Sequence, residues 1–139
     1  NVDEDEGSEE DEERGGAMAR AAAQRFEDLI VWQKGHPFVL GVYRLTAEFP
    51  REETYGLTAQ LRRAAVSVPA NIAEGFKRRG RADKGRLMNV AEGSLEEARY
   101  YLRLGAGLGY RSDLRLVEEA AEVGRLLTAY MRALLAPPS

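Results

Sequence analysis

The chain contains no cysteine and a single histidine, His36, in 139 residues. The first absence excludes a disulfide framework and any thiolate metal site. The second excludes a histidine-rich metal centre. A Ser-His-Asp arrangement would have to use His36, which precedes the helix-breaking Pro37. No Glu-x-x-His pair of the di-iron bundles occurs. No catalytic residue, metal or cofactor is therefore expected, and Glu92, Glu96 and Glu97 read as surface or interface carboxylates. No apolar run approaches the length of a membrane span. The N-terminus is acidic, unlike a secretory signal, so the cytoplasm is the default compartment. The glycine-rich GAGLG at 105–109 follows a helical pattern rather than a strand, which excludes a dinucleotide or phosphate loop and reads as a helix stop.

Charge is present in abundance but unevenly placed. The formal net charge is −3. Residues 1–14 (NVDEDEGSEEDEER) hold nine acids and one base, a net −8, so the remaining residues sum to +5. Residues 1–16 have too few apolar side chains to offset ordering entropy, and an acidic disordered tail is expected there. Residues 17–25 form a junction, 26–135 the folded domain and 136–139 a short C-terminal tail.

Within 26–135 the apolar residues recur every three or four positions. A first helix spans Phe26 to about Phe49, with a kink or a late start at Pro37. A second runs from about Tyr55 to Arg79 on Leu57, Leu61, Ala64, Ala65, Val68, Ile72 and Phe76, bent at Pro69. A third covers about Ala82 to Leu104. A fourth starts after Ser112 as N-cap and ends before the closing prolines. No stretch alternates with period two. Four long helices with short connections predict an all-α, antiparallel, up-down four-helix bundle.

Two polar features stand out on those helices. Gln60, Arg63, Ser67, Asn71 and Glu74 follow three- and four-residue spacing on the second helix, and Glu96 belongs to a similar series on the third. Two readings fit: a solvated face with ion pairs such as Glu74 with Arg78, or a polar subunit contact. The small residues Ala64, Ala65, Gly75, Gly93 and Ser94 suit close helix approach inside one bundle or between copies. The second feature is NIAEGFKRRGRADKGR at 71–86. Lys77, Arg78, Arg79, Arg81, Lys84 and Arg86 crowd the turn between the second and third helices, against the single acid Asp83. Guanidinium clusters bind phosphate through charge-assisted bonds and steer polyanions. The plainer alternative is a solvated hairpin tip. Beyond Phe76 no aromatic is interleaved, so contact with a nucleic-acid backbone is favoured over base stacking.

The segments FEDLIVWQK, YGLTAQLRRAAVSVPANIAEGFKRR and VAEGSLEEARYYL resemble a known family. They are similar to the four-helix bundle proteins related to those encoded in intervening sequences of bacterial large-subunit rRNA genes, and to the accessory variability determinant of diversity-generating retroelements. The resemblance covers about residues 26–135. Tyr55, Gly56, Leu57, Gln60, Arg63, Ala64, Ser67, Pro69 and Asn71 to Gly75 fall where the family pattern puts them. Gly93, Ser94 and Glu97 match a second, weaker motif. The resemblance implies an antiparallel four-helix bundle and a ring-shaped homo-oligomer, a pentamer, with a basic surface suited to RNA or DNA. In retroelement members the ring partners a reverse transcriptase. The GHPF segment and the acidic tail depart from the pattern.

Two functions follow from different classes. One is a non-catalytic, homo-oligomeric nucleic-acid-binding protein that uses the basic junction on phosphates. The other is a protein-interaction scaffold, such as an accessory subunit of a reverse transcriptase. On the first, residues 1–14 compete with nucleic acid for the basic turn. Deleting them is expected to tighten binding at low salt, and equal affinity with and without the segment in a salt titration contradicts that competition.

Overall fold

The computed structural model describes residues 23–137, and residues 1–22, with the expected acidic tail and most of the junction, lie outside them. The described chain is a 3-10 turn at Phe26–Asp28, α1 (Ile30–Thr46), a 3-10 turn at Arg51–Glu53, α2 (Leu57–Lys77), α3 (Arg81–Gly107) and α4 (Leu114–Leu135), with no strand among the described residues.

α1 starts at Ile30, later than the sequence pattern predicts. Asp28 turns back and its Oδ2 accepts the backbone N–H groups of Gln24 and Arg25 at 3.1 and 3.2 Å, which caps the start of the leading 3-10 turn; the extended backbone of Leu29 then separates that turn from the helix. Those two bonds also hold the Asp28 carboxyl below its usual pKa. The helix then runs through Pro37 without a break in its assignment. Proline has no N–H to give the carbonyl of Gln33. Both residues are exposed, so the helix loses that bond on its solvent side rather than in the core.

α3 outlasts its predicted end at Leu104 by three residues. Gly109 at φ 84° then stops it. Tyr110 N–H bonds the Gly105 carbonyl at 2.9 Å and Gly109 N–H bonds that of Ala106 at 3.0 Å, the paired bonds of a Schellman motif. Glycine is needed at 109 because an L side chain there strains against its own carbonyl. α4 is capped by Asp113, whose carboxylate accepts Arg115 N–H at 2.9 Å, and not by the expected Ser112.

Each helix packs on two others, in chain order, with α4 closing against α1. The fully buried Phe38, Leu61, Ile72, Met88, Val123 and Leu127 fill the space between them. Glycines fix the closest approaches. A Cβ on Gly75 would stand 2.5 Å from Met88 Cε and 3.4 Å from Leu87 Cβ, and one on Gly105 would stand 3.1 Å from Phe49 Cζ and 3.7 Å from Leu57 Cδ2. Late α2 therefore lies on early α3, and early α2 on late α3. Gly35 is looser, since its Cβ would meet Pro69 Cβ at an ordinary 3.8 Å.

These clearances predict opposite outcomes for two glycines. Gly75→Val forces a branched side chain onto Leu87 and should cost about 1–3 kcal/mol in urea unfolding. Gly35→Ala fits, and should leave stability unchanged or raise it by up to about 1 kcal/mol through helix propensity.

Candidate nucleic-acid interface

The six cations of the basic junction separate into three groups once folded. Arg78 and Arg86 are held by acids. Arg78 donates to Glu74 at 2.6 Å and lies 3.6 Å from Asp83, and Arg86 donates to Asp83 Oδ1 at 2.9 Å. The Glu74 hydrogen bond, followed by the field of Asp83, raises the Arg78 pKa further. Two carboxylates thus neutralise a third of the cluster.

Lys84 turns inward. Its Nζ donates to the carbonyls of Phe76 at 2.7 Å and Gly75 at 3.2 Å, and stands 5.5 Å from the centre of the Phe76 ring. These carbonyls belong to the last turn of α2, where helical donors run out and only Gly75 keeps one, the N–H of Arg78 at 3.1 Å. Lys84 therefore closes the C-terminus of α2, where a cation also suits the helix dipole. Burial pushes its pKa below the ordinary lysine value. The sequence placed Lys84 among the phosphate contacts; the fold occupies it with backbone.

Lys77, Arg79 and Arg81 remain on the outside. Arg81 donates to the carbonyl of Ala136 at 3.3 Å, which brings the end of α4 to the same tip. None of the three forms an ion pair with an acid among the described residues.

The polar stripe of α2 lies along its seam with α3. Arg63 donates to Gln60 at 2.8 Å and to Glu97 at 3.0 Å, and Glu97 accepts Tyr101 O–H at 2.8 Å. The hydroxyls of Ser67 and Ser94 are 2.8 Å apart, and Asn71 Nδ2 donates to the Ser67 carbonyl and hydroxyl at 2.7 and 2.9 Å. The bond to Glu97, with burial second, raises the Tyr101 pKa above 10.0. Glu74 serves Arg78, and Glu96 sits outside the seam, bonded to Arg99 at 2.6 Å. The stripe joins two helices of one chain, a use that the two sequence readings did not separate from solvent or subunit contact. Sequence reasoning also missed Arg62, which donates to Thr46 Oγ1 at 2.7 Å and lies over the Tyr43 ring at 4.5 Å. Its partners are sixteen and nineteen residues away, beyond any local spacing rule.

Between α3 and α4 lies an open groove of about 480 Å³ lined by Glu92, Glu96, Arg99 and Thr128 among others, continued by one of about 460 Å³ beside Tyr100, Leu114 and Val117. No group of three or more acids or histidines stands close enough to hold a metal ion among the described residues, and no helix there is long and apolar enough to cross a membrane.

An all-helical chain of four helices, with a cationic tip and no metal-ligand cluster among the described residues, defines a four-helix protein of the bundle class. A model of the family described as 23S rRNA-intervening sequence protein matches residues 27–129, and the chain belongs to that family. Among solved structures it is similar to a protein of unknown function from the S23 ribosomal protein family of Bacteroides thetaiotaomicron. The TM-score is 0.66 at 22% identity, over 74% of this chain and 96% of that one. That likeness concerns the fold. No curated protein matches the chain.

The geometry predicts that Lys84→Met, which keeps the apolar stem and removes the donor, destabilises the fold by about 1 kcal/mol in urea unfolding. Arg79→Ala should leave stability within about 0.5 kcal/mol of the parent chain. Equal midpoints for the two variants contradict a capping role for Lys84.

Proposed function

We propose that the chain is a non-catalytic, homo-oligomeric nucleic-acid-binding protein of the cytoplasm that grips phosphates through the turn between α2 and α3. The observation that carries this reading is the exposure of Lys77, Arg79 and Arg81 on one turn, clear of the acids that occupy Arg78 and Arg86. Such contacts position a polyanion without reading its sequence. The helices run antiparallel, up and down in alternation, in keeping with Gly75 against Met88 at one end of the α2–α3 pair and Gly105 against Leu57 at the other. Assembly into the five-membered ring that the family resemblance implies repeats the tip five times, so a modest patch on one chain becomes a ring of cations.

A second reading is a scaffold for another protein, such as the reverse transcriptase of a retroelement. The exposed Tyr100, Leu114 and Val117 beside the α3–α4 groove favour it, because apolar side chains in a row suit a protein surface more than a phosphate backbone.

Light scattering coupled to size exclusion, with and without a mixed-sequence duplex at low and moderate salt, tests the first reading. A five-subunit mass that co-elutes with nucleic acid in a salt-sensitive way is expected. Changing Lys77, Arg79 and Arg81 to Ala should weaken binding alike across sequences and flatten the salt slope by about 0.9 per lost phosphate contact. A monomer that ignores nucleic acid at low salt overturns the reading.

A further inference from the structure

One aromatic pair joins a ring packed on the core to a ring at the surface. The imidazole of His36 lies flat on the indole of Trp32, with ring centroids 5.1 Å apart and planes 6° from parallel. Phe26 meets the same indole edge-on at 5.1 Å and 63°. Trp32 is half-buried against the core, whereas His36 is exposed. The stack is thus anchored at Trp32 and open to solvent at His36.

Register fixes where the pair sits. Gly35 faces Pro69, and Arg62 reaches back to Thr46 and Tyr43. Residues of α1 before Gly35 therefore lie toward the C-terminal end of α2, where the basic turn begins. At about 100° per residue, Trp32, His36 and Tyr43 fall on one flank of α1. The contact of Arg62 with the Tyr43 ring shows that this flank adjoins the side of α2 that carries Arg62 and, by the same periodicity, Lys77. Trp32 stands three residues from Gly35 and Lys77 eight from Pro69, which separates them by about 7–8 Å along the seam at 1.5 Å per residue. By register the seam runs from Lys77, about 60° round α2 from Arg62, past the Phe26–Asp28 turn that packs on α2 and on Trp32, to Trp32 with His36 and then Tyr43 beneath Arg62. Cations alternate with rings along it, an interleaving absent from the basic turn itself and supplied by a helix more than thirty residues earlier in the chain.

Single-stranded nucleic acid is bound by that combination: cations follow the backbone while unpaired bases stack on exposed rings, with little sequence preference. A duplex keeps its base faces covered. We propose that Trp32 and His36 form a stacking platform for an unpaired base of a single strand whose backbone runs along the α1–α2 seam to Lys77 and the basic turn. His36 offers its outer face to the base, Trp32 is the floor beneath it, and Lys77 neutralises a neighbouring phosphate. The proposal rests on the nucleic-acid reading above and narrows its ligand to strands with unpaired bases.

Trp32 is the only tryptophan of the chain, so its fluorescence reports this site alone. The full chain is titrated with a single-stranded oligouridylate, a duplex of equal length and inorganic polyphosphate. Tryptophan emission is followed beside the anisotropy of a labelled strand, with polyphosphate measured by competition. The single strand is expected to quench Trp32, while the duplex and polyphosphate bind without quenching. His36→Ala should weaken the single strand roughly tenfold without changing the salt slope, and His36→Phe, which restores a flat ring without a charge, should recover the affinity. Lys77→Ala should instead lower the slope by about 0.9. Binding with no change in Trp32 emission, and equal affinity in His36→Ala, overturns the platform and leaves the basic-turn reading standing. Absence of binding to every polyanion at low salt overturns both.

Discussion

The contact of α2 with α3 at Gly75 is the constraint on which the basic end of the molecule depends. Without a side chain at Gly75, the last turn of α2 comes within reach of Leu87, Met88 and the backbone at Lys84. That proximity lets Lys84 reach the carbonyls of Gly75 and Phe76, and so decides that one of six cations is spent on backbone. The turn from Arg78 to Gly80 is then too short to bury anything, and Arg79 and Arg81 are left at the surface. Packing of a glycine thus determines which charges remain for a ligand.

The same end shows why counting charges in a sequence overstates a binding patch. Glu74 lies one helical turn before Arg78, and Asp83 lies one turn before Arg86 while also approaching Arg78. Local spacing supplies these acids, and exposed pairs of this kind are weak because ordering two long side chains costs entropy. On the proposed reading, a phosphate, with more charge and more acceptors than a carboxylate, would compete for them. The neutralised arginines therefore form a reserve beside the three that are free of acids.

Much of the fold was legible in residue spacing. The faces built on Leu57, Leu61, Ala64, Val68 and Ile72 are buried as the three- and four-residue pattern requires, and four helices result. What escaped was set by contacts distant in the chain or by backbone chemistry at helix ends. Extended Leu29 separates the turn capped by Asp28 from α1, and Asp113 rather than Ser112 caps α4. The polar stripe from Gln60 to Asn71 was visible, but its partners Ser94 and Glu97 become neighbours only when α3 folds against α2. The Arg62 bonds to α1 and the neighbourhood of Trp32 and Lys77 are likewise tertiary facts. In the basic cluster, sequence could identify the cations but not apportion them among acids, backbone and solvent.

Pro37 has a consequence within α1. It interrupts the ladder of α1 one residue after His36, so the turn from Gln33 to Pro37 lacks the backbone bond that the rest of the helix has. The stretch from Ile30 to His36 is joined to the segment from Phe38 to Thr46 by one backbone bond fewer, while Leu29, Val31 and Trp32 keep it packed on the core. The gap lies on the exposed side of α1, while the buried side of the helix holds both halves in one core.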